Sequence, residues 1–171
     1  MANIRNLPAG KCDLDRVWGT RPDFYAVFMD DYNRSLARVD APLVELCRLR
    51  MATLLDCTFE LGLRYHPAAE AGLTEAKIAA LGNYLASPLF SESERLAIAF
   101  AELFVIQSSS IGDDDVARVQ QALGAEPFIY FVKALSVMDQ LQRSSVAFDI
   151  QPGSELPQAL ADFRAVEPVA A

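Results

Sequence analysis

Histidine is almost absent from this chain, which has one histidine and three cysteines in 171 residues. Metal sites built from two or three histidines are therefore excluded for a monomer. The cysteines, at positions 12, 47 and 57, form no Cys-x-x-Cys pair, and this indicates neither a disulfide framework nor a cysteine-rich zinc site. We expect no metal and no other cofactor, and histidine-based catalysis can use only His66.

Long apolar runs and an excess of basic residues are also missing. No run approaches the roughly 20 residues that cross a bilayer, and the first ten residues lack the basic-then-apolar plan of a signal peptide. The net charge of −8 would repel the phosphates of nucleic acid and anionic membrane surfaces. The sequence therefore predicts a cytoplasmic protein that binds neither nucleic acid nor a membrane.

What is present is enough apolar sequence for one core, because 52% of the residues are hydrophobic. Apolar residues recur at helical spacing, and no stretch alternates with a period of two. Helix starts are predicted at Asp13, Pro22, Asp40, Thr74, Ser91, Asp113 and Pro127. The predicted fold is all-α, a single-domain antiparallel helical bundle. We expect an N-terminal arm over 1–19, the helical domain over 20–150, and a C-terminal extension over 151–171 with a small helix near 156–163.

The segment from Glu45 to His66 places polar side chains within an apolar helical pattern. In one continuous helix, Arg50, Glu60 and Arg64 lie on the same stripe as Cys57. Leucines flank this stripe, which indicates a partly buried polar groove rather than an ordinary solvated face. We therefore expect the functional site in this segment.

Cys57 is the candidate reactive residue of the segment. If Asp56 ends one helix and caps the next, the helix dipole and a nearby arginine would lower the pKa of the Cys57 thiol. Glu60 would raise that pKa, so the sign of the shift stays open, and Glu60 is itself a candidate acid or base. Alternatively, Cys57 is an ordinary buried thiol, and Glu60 forms a helix ion pair with Arg64.

Several motifs resemble the alkylhydroperoxidase-D-like/carboxymuconolactone decarboxylase superfamily. They are Glu45 twelve residues before Cys57, the polar positions 60 and 64, and the sequence Ala-Gly-Leu-Thr-Glu-Ala-Lys-Ile-Ala-Ala-Leu at 71–81. Residues 90–102 and 143–148 resemble its later helices, so the likeness covers about residues 20 to 150. The resemblance implies the alkylhydroperoxidase-D-like helical fold, a small-molecule substrate, and a homo-oligomer such as a dimer, trimer or hexamer.

The redox members of that superfamily carry a Glu followed by Cys-x-x-Cys-x-x-x-His. Here Cys57 matches the first cysteine and Glu45 the glutamate, but Glu60 and Arg64 replace the second cysteine and the histidine. An internal disulfide cycle is not available at this motif, so Cys57 would need an external thiol reductant. The resemblance also implies that the chain folds back near Asp56, because twelve residues of straight helix would hold Glu45 about 18 Å away.

His66 is a candidate substitute for the missing histidine, since it lies two residues after Arg64. In an unbroken helix it would lie opposite Cys57, but Pro67 biases it away from helical geometry. We therefore keep His66 as a candidate substrate contact.

Three functions remain open. The first is a peroxidase-like, antioxidant thiol oxidoreductase that acts on hydroperoxides through Cys57. In it, Glu45 and Glu60 handle protons and Arg64 contacts the substrate. The second is a lyase, decarboxylase or isomerase in which Glu60 moves protons and Arg64 or Arg50 holds a small carboxylate or lactone. The third is a non-catalytic binding or assembly protein.

Overall fold

Nine α-helices and two short strands make up the described part of the chain, residues 7–153 and 155–166 of a computed structural model. In order they are α1 (Asp13–Trp18), α2 (Pro22–Leu36), α3 (Ala41–Leu54), α4 (Thr58–Leu61), β1 (Leu63–Tyr65), α5 (His66–Glu70), α6 (Glu75–Ala79), α7 (Glu92–Gln107), α8 (Asp113–Leu123), α9 (Ala125–Ala147) and β2 (Phe163–Ala165). Single 3₁₀ turns lie at Ala80–Asn83, Ser108–Ser110 and Gln158–Leu160. The predicted all-α fold is confirmed. The expectations for the two chain ends fall partly on residues 1–6 and 167–171, outside the described residues.

Three helices begin where the sequence predicts, with the predicted side chain at the cap. The Asp40 carboxylate accepts a hydrogen bond from the Leu43 N–H at 3.0 Å, at the start of α3. Ser91 and Glu94 form the reciprocal capping box of α7, and Thr74 caps α6. Helix α1 begins at Asp13, as predicted, but Asp13 is not its cap, because Cys12 occupies the cap position and its side chain makes no capping bond.

Helix α3 is enclosed on almost every side. It packs most extensively on α7, and α4, α5 and α9 cover its other faces. A helix without a solvated face must place any charged side chain against a partner. Its buried residues are Leu43, Val44, Glu45, Leu46, Cys47, Arg48, Leu49, Met51 and Ala52.

The chain breaks its helix at Asp56, as the resemblance implies. Helix α3 ends at Leu54, and Asp56 has a φ of +53°, the left-handed conformation that Asp tolerates better than most residues. The Cys57 N–H returns to the Ala52 carbonyl at 2.9 Å, and the four-residue α4 then begins. Asp56 does not cap α4, contrary to the prediction; Cys57 holds that position without a side-chain capping bond.

The C-terminal segment covers the region that follows the break. β2 pairs antiparallel with β1, with Tyr65 opposite Phe163. The predicted small helix over 156–163 is only a 3₁₀ turn, Gln158–Leu160, followed by β2. No helix in the described residues has both the length and the apolar character that crossing a membrane requires.

Candidate active site

Cys57 lines a small pocket between the break at Asp56 and the C-terminal end of α9. The pocket has a volume of about 180 Å³, close to the roughly 150 Å³ of a cavity that holds benzene. Only 1% of Cys57 is exposed, so the thiol lies in the pocket wall rather than on the outer surface. The lining residues are Asp56, Cys57, Thr58, Ser145, Val146, Asp149, Ile150 and Gln151.

A buried ion cluster of Glu45, Arg48 and Glu60 lies behind this wall. The Arg48 guanidinium holds Glu45 through Nε–Oε2 at 2.7 Å and Nη2–Oε1 at 2.9 Å, and it holds Glu60 through Nη1–Oε2 at 2.5 Å. It also donates to the backbone carbonyls of Glu60 and Leu63 at 2.7 and 2.9 Å. All five guanidinium N–H groups therefore have acceptors, which a fully buried arginine needs.

Aromatic and amide groups seal the cluster from solvent. The Phe163 ring lies 5.2 Å from the centre of the Arg48 guanidinium. The Gln142 amide donates to the Arg48 carbonyl at 3.0 Å, and the Tyr65 N–H donates to Glu45 Oε1 at 3.2 Å. Both oxygens of Glu45 are thus engaged by Arg48 or the backbone. Glu45 does reach the site region, where its carboxylate holds the Arg48 guanidinium.

Glu60 differs from Glu45 in having an unused oxygen. Its Oε1 and the Tyr32 hydroxyl are both buried, and neither makes a hydrogen bond of good geometry among the described residues, although Tyr32 lies near enough to Glu60 to lower the pKa of its carboxyl. Burial raises the pKa of the Glu60 carboxyl, although the charge of Arg48 opposes that rise. Burial and the Glu60 charge raise the pKa of Tyr32 well above its ordinary value. Glu60 is therefore the group of the cluster best suited to hold or release a proton.

Burial also decides the protonation of Cys57. It raises the pKa of the Cys57 thiol to about 12, and the negative charge of Glu60 adds to the rise. The backbone N–H groups of Glu60 and Phe59 and the charge of Arg48 lower this pKa by less. The pKa shift of Cys57, whose direction the sequence leaves open, is thus upward. The resting thiol is therefore protonated near neutral pH.

The polar stripe predicted on one continuous helix does not exist. Arg50 faces α7, where it forms an ion pair with Glu102, and Glu102 also accepts from the Tyr84 hydroxyl at 3.0 Å. Arg64 lies on β1 and binds Glu75 at 3.0 and 3.2 Å on the surface. The interpretation is wrong because the chain turns at Asp56, so a single helical period does not run through the segment.

His66 lies at the start of α5, beside β2. Its Nε2 is 3.2 Å from a Glu70 carboxylate oxygen and 2.8 Å from an Arg164 nitrogen. It does not line the Cys57 pocket, so the structure does not bring it together with the predicted site. In the described part of the chain, no group of three or more His, Cys, Asp or Glu residues is arranged to hold a metal ion.

The other two cysteines are also free and buried, and neither lines the Cys57 pocket. Burial raises the pKa of Cys12 to about 11 and raises that of Cys47 further. Of the three thiols, Cys57 is the one placed at both a pocket and the buried ion cluster.

Sequence reasoning missed Arg48, Tyr32, Gln142 and Ser145. A signal for Arg48 exists: Glu45 and Arg48 are three residues apart, share a helix face and stand among Leu46, Cys47 and Leu49. An oppositely charged pair inside an apolar run indicates buried partners. The other three offer no comparable local pattern.

No protein-family model matches the chain. The uncharacterized protein YnjA of Escherichia coli K12 is 27% identical over 138 residues, which span 79% of this chain and 76% of YnjA.

Three solved structures share the arrangement of helices. A protein of unknown function from Agrobacterium tumefaciens, suggested to be the antioxidant defence protein AhpD, superposes with a TM-score of 0.72 at 19% identity, over 81% of this chain and 97% of that one. The debrominase Bmp8, in a cysteine-to-alanine variant bound to 2,3,4-tribromopyrrole, superposes with a TM-score of 0.72 at 17% identity, over 88% of this chain and 80% of that one. An uncharacterized peroxidase-related protein from Silicibacter sp. TM1040 superposes with a TM-score of 0.71 at 13% identity, over 84% of this chain and 77% of that one. The chain has the alkylhydroperoxidase-D-like fold, as the sequence resemblance implies.

Proposed function

We propose that this protein is a peroxidase-like thiol oxidoreductase of the alkylhydroperoxidase-D-like superfamily, reducing hydroperoxides through Cys57. The observation that carries the proposal is the position of Cys57, which lines a pocket and is close enough to the buried Glu60 carboxyl for the Glu60 charge to raise the pKa of its thiol. The fold is shared with a suggested antioxidant protein and a peroxidase-related protein, which supports the same reaction class.

The first step oxidises the Cys57 sulfur. Because the thiol is protonated at rest, it needs a base, and Glu60 with its unpartnered oxygen is the group that takes the proton. The thiolate attacks one peroxide oxygen and the O–O bond breaks. The leaving alkoxide takes the proton back from Glu60, whose raised pKa suits it to act as an acid. The products are an alcohol and a sulfenic acid on Cys57.

An external thiol then regenerates the enzyme. It attacks the sulfenic sulfur, forms a mixed disulfide and releases water. A second external thiol attacks that disulfide and frees Cys57. In sum, one hydroperoxide and two thiols give one alcohol, one water and one external disulfide. Cys12 and Cys47 do not line the pocket, in keeping with an external reductant rather than an internal one.

In this mechanism Glu45 acts through Arg48, which holds the Glu60 carboxylate in place. Glu45 is thus a positioning residue. Arg50 and Arg64, expected as substrate contacts, are engaged by Glu102 and Glu75, and the proposal assigns them no chemical step.

The test measures consumption of hydrogen peroxide and of an organic hydroperoxide with dithiothreitol as reductant. Cys57→Ser should reduce turnover to background, since the reacting sulfur is gone. Glu60→Gln should lower kcat by about 10²-fold, the usual effect of losing a general acid–base group. Cys47→Ser, which alters an equally buried thiol away from the pocket, is the matched control and should retain turnover. Unchanged turnover in Cys57→Ser would overturn the proposal.

A second candidate is the acid–base lyase or isomerase, favoured by the unpartnered Glu60 oxygen and the raised Glu60 pKa. It predicts turnover of a small lactone or carboxylate that survives Cys57→Ser and is lost in Glu60→Gln. The two variants therefore separate the two reactions. Loss of lactone turnover in Cys57→Ser would exclude this candidate.

We also propose a homo-oligomer in the cytoplasm. Several large apolar side chains are exposed, Val27 by 70% and Ile106 by 65% among them, and such surfaces favour association. Light scattering after size exclusion should give a mass of two, three or six chains. A monomer at micromolar concentration contradicts the assembly.

A further inference from the structure

Tyr32, on α2, brings a hydroxyl group to the buried ion cluster. Its ring centre lies 6.2 Å from that of Phe163, and Phe163 covers the Arg48 guanidinium. Tyr32 is fully buried. Its hydroxyl and Glu60 Oε1 are both buried atoms that make no hydrogen bond of good geometry among the described residues. A donor and an acceptor thus remain in the same sealed part of the core, where leaving either without a partner is unfavourable.

Arg48 has no N–H group left for Glu60 Oε1. Two of its N–H groups bind Glu45, and the others go to Glu60 Oε2 and to the backbone carbonyls of Glu60 and Leu63. A guanidinium has five N–H groups, and all five are used. A donor for Glu60 Oε1 must therefore come from another element of the fold.

Electrostatics give the direction of this contact. An ionised carboxylate can only accept hydrogen bonds, so a hydroxyl that pairs with it donates. Burial and the Glu60 charge raise the pKa of Tyr32 well above its ordinary value, so the phenol keeps its proton.

Several titratable and charged groups face the Glu60 carboxyl. They are Glu45 and Arg48 from α3, Tyr32 from α2 and Cys57 at the break. Burial and the Glu45 charge raise the pKa of Glu60, whereas Arg48 and Tyr32 lower it. Tyr32 therefore acts on Glu60 in the same direction as the arginine, from the opposite side of the cluster in sequence.

We propose that Tyr32 is a positioning residue for the reaction at Cys57. Its hydroxyl donates to Glu60 Oε1, directly or across one bridging water, and holds the Glu60 carboxyl in the ionised form that accepts a proton. The inference rests on the proposed function for the role of Glu60. A carboxylate oxygen has two lone pairs, so this bond leaves one for the proton that Cys57 releases.

The first test follows the Glu60 carboxyl by NMR and needs no turnover. Protein labelled with carbon-13 at the glutamate carboxyls is titrated with acid, and the Glu60 signal is identified by its loss in Glu60→Gln. Tyr32→Phe removes one oxygen and keeps the ring that packs on Phe163. It should raise the pKa of Glu60, because a donor to the carboxylate is lost.

Tyr65→Phe is the matched control. Tyr65 also packs on Phe163, and it meets the cluster through its backbone N–H, which phenylalanine retains. The pKa of Glu60 should therefore stay unchanged in this variant. An unchanged or lowered Glu60 pKa in Tyr32→Phe overturns the proposal, as does an equal rise in both variants.

The second test measures kcat/KM for an organic hydroperoxide against pH, with dithiothreitol as reductant. In the proposed reaction the acid side of this profile reports the ionisation of Glu60. Tyr32→Phe should move the acid side to higher pH. Below its midpoint, turnover should fall about tenfold, as for the loss of one hydrogen bond to a charged group. The loss should lie in kcat rather than KM, because Tyr32 does not line the pocket. A profile with the wild-type midpoint overturns the proposal.

A third variant keeps the proposal testable if Tyr32→Phe does not fold. 3-Fluorotyrosine at position 32 keeps the hydroxyl, but its phenol is more acidic and therefore a stronger donor. It should lower the pKa of Glu60 and move the acid side of the profile to lower pH, the reverse of Tyr32→Phe. No change, or a rise of the Glu60 pKa, overturns the proposal.

The NMR titration and the activity profile also separate this inference from the proposed function. A raised Glu60 pKa in Tyr32→Phe, in a protein without peroxidase turnover, would contradict only the proposed function. Peroxidase turnover that depends on Cys57 but keeps its wild-type pH profile in Tyr32→Phe would contradict only the inference.

Discussion

Two arginines of α3 stand two positions apart and have opposite environments. Arg48 is fully buried, binds two glutamates and has every N–H engaged. The Arg50 side chain is 20% exposed and pairs with Glu102 at the contact with α7. The difference arises from the turn at Asp56, which folds Glu60 back beneath Arg48 and leaves Arg50 facing another helix. Charge alone therefore does not distinguish the arginine of the buried ion cluster from the arginine at the contact with α7.

The largest expected effect concerns this pair. Arg48→Met should lower the free energy of unfolding by about 3–5 kcal/mol, because it leaves two buried carboxylates without a counterion. Arg50→Met should cost no more than about 1 kcal/mol, as for other partly exposed ion pairs. Urea unfolding followed by circular dichroism measures both. Equal losses in the two variants would show that the two environments do not differ in energy.

The pH dependence of stability tests the environment of Glu60, the buried partner of Arg48. Burial raises the pKa of Glu60 above its ordinary value of 4.5, so the folded protein holds a proton that the unfolded chain releases. The contribution of Glu60 to stability therefore falls as the pH rises from about 4.5 through the folded pKa. The difference in unfolding free energy between wild type and Glu60→Gln should decrease with pH over that range.

Glu94 serves as a control, because its pKa is shifted in the opposite direction to that of Glu60. Burial raises its pKa, but Lys77 and Ser91 lower it by more, so the net shift is downward. Its contribution is lost as the pH falls through the folded pKa. The difference between wild type and Glu94→Gln should therefore increase with pH. If the difference in unfolding free energy from wild type changed with pH in the same direction for Glu60→Gln and Glu94→Gln, Glu60 would not be the carboxyl with the raised pKa.

The smallest effect concerns the turn that creates the difference between the arginines. Asp56 has a φ of +53°, so Asp56→Ala should cost about 1 kcal/mol through backbone strain. Asp56→Gly should stay within about 0.5 kcal/mol of wild type, because glycine adopts this conformation without strain. Thermal unfolding at fixed pH measures both. Similar losses for Ala and Gly would show that the Asp56 side chain, rather than its backbone conformation, holds the turn.

Much of the fold could be predicted from local signals. Asp40 and Ser91 cap the helices that they were expected to begin, because a cap satisfies nearby backbone N–H groups and leaves a short sequence pattern. The strands could not be predicted. Each has three residues, and β1 finds its partner only at the far end of the chain, so no local alternation marks either one.

The geometry of the candidate site could be predicted in part. The sequence indicated that Cys57 and Glu60 lie together, and the structure places them so, because they belong to the same turn. Arg48 was missed for a geometric reason. At 100° per residue it falls about 180° from Cys57 in one straight helix, on the face that the prediction set aside. The left-handed residue Asp56 reverses that geometry, and a helical projection cannot represent such a turn.

The strand β2 has a consequence for the order in which the protein is assembled. Phe163 covers Arg48 and packs on Tyr65, yet it is synthesised long after Glu45, Arg48 and Glu60. As the chain leaves the ribosome, these three charged side chains stay hydrated until the last part of the described sequence arrives. The charged cluster is thus closed only after Phe163 has been synthesised, and a chain cut before Phe163 would leave it open to water.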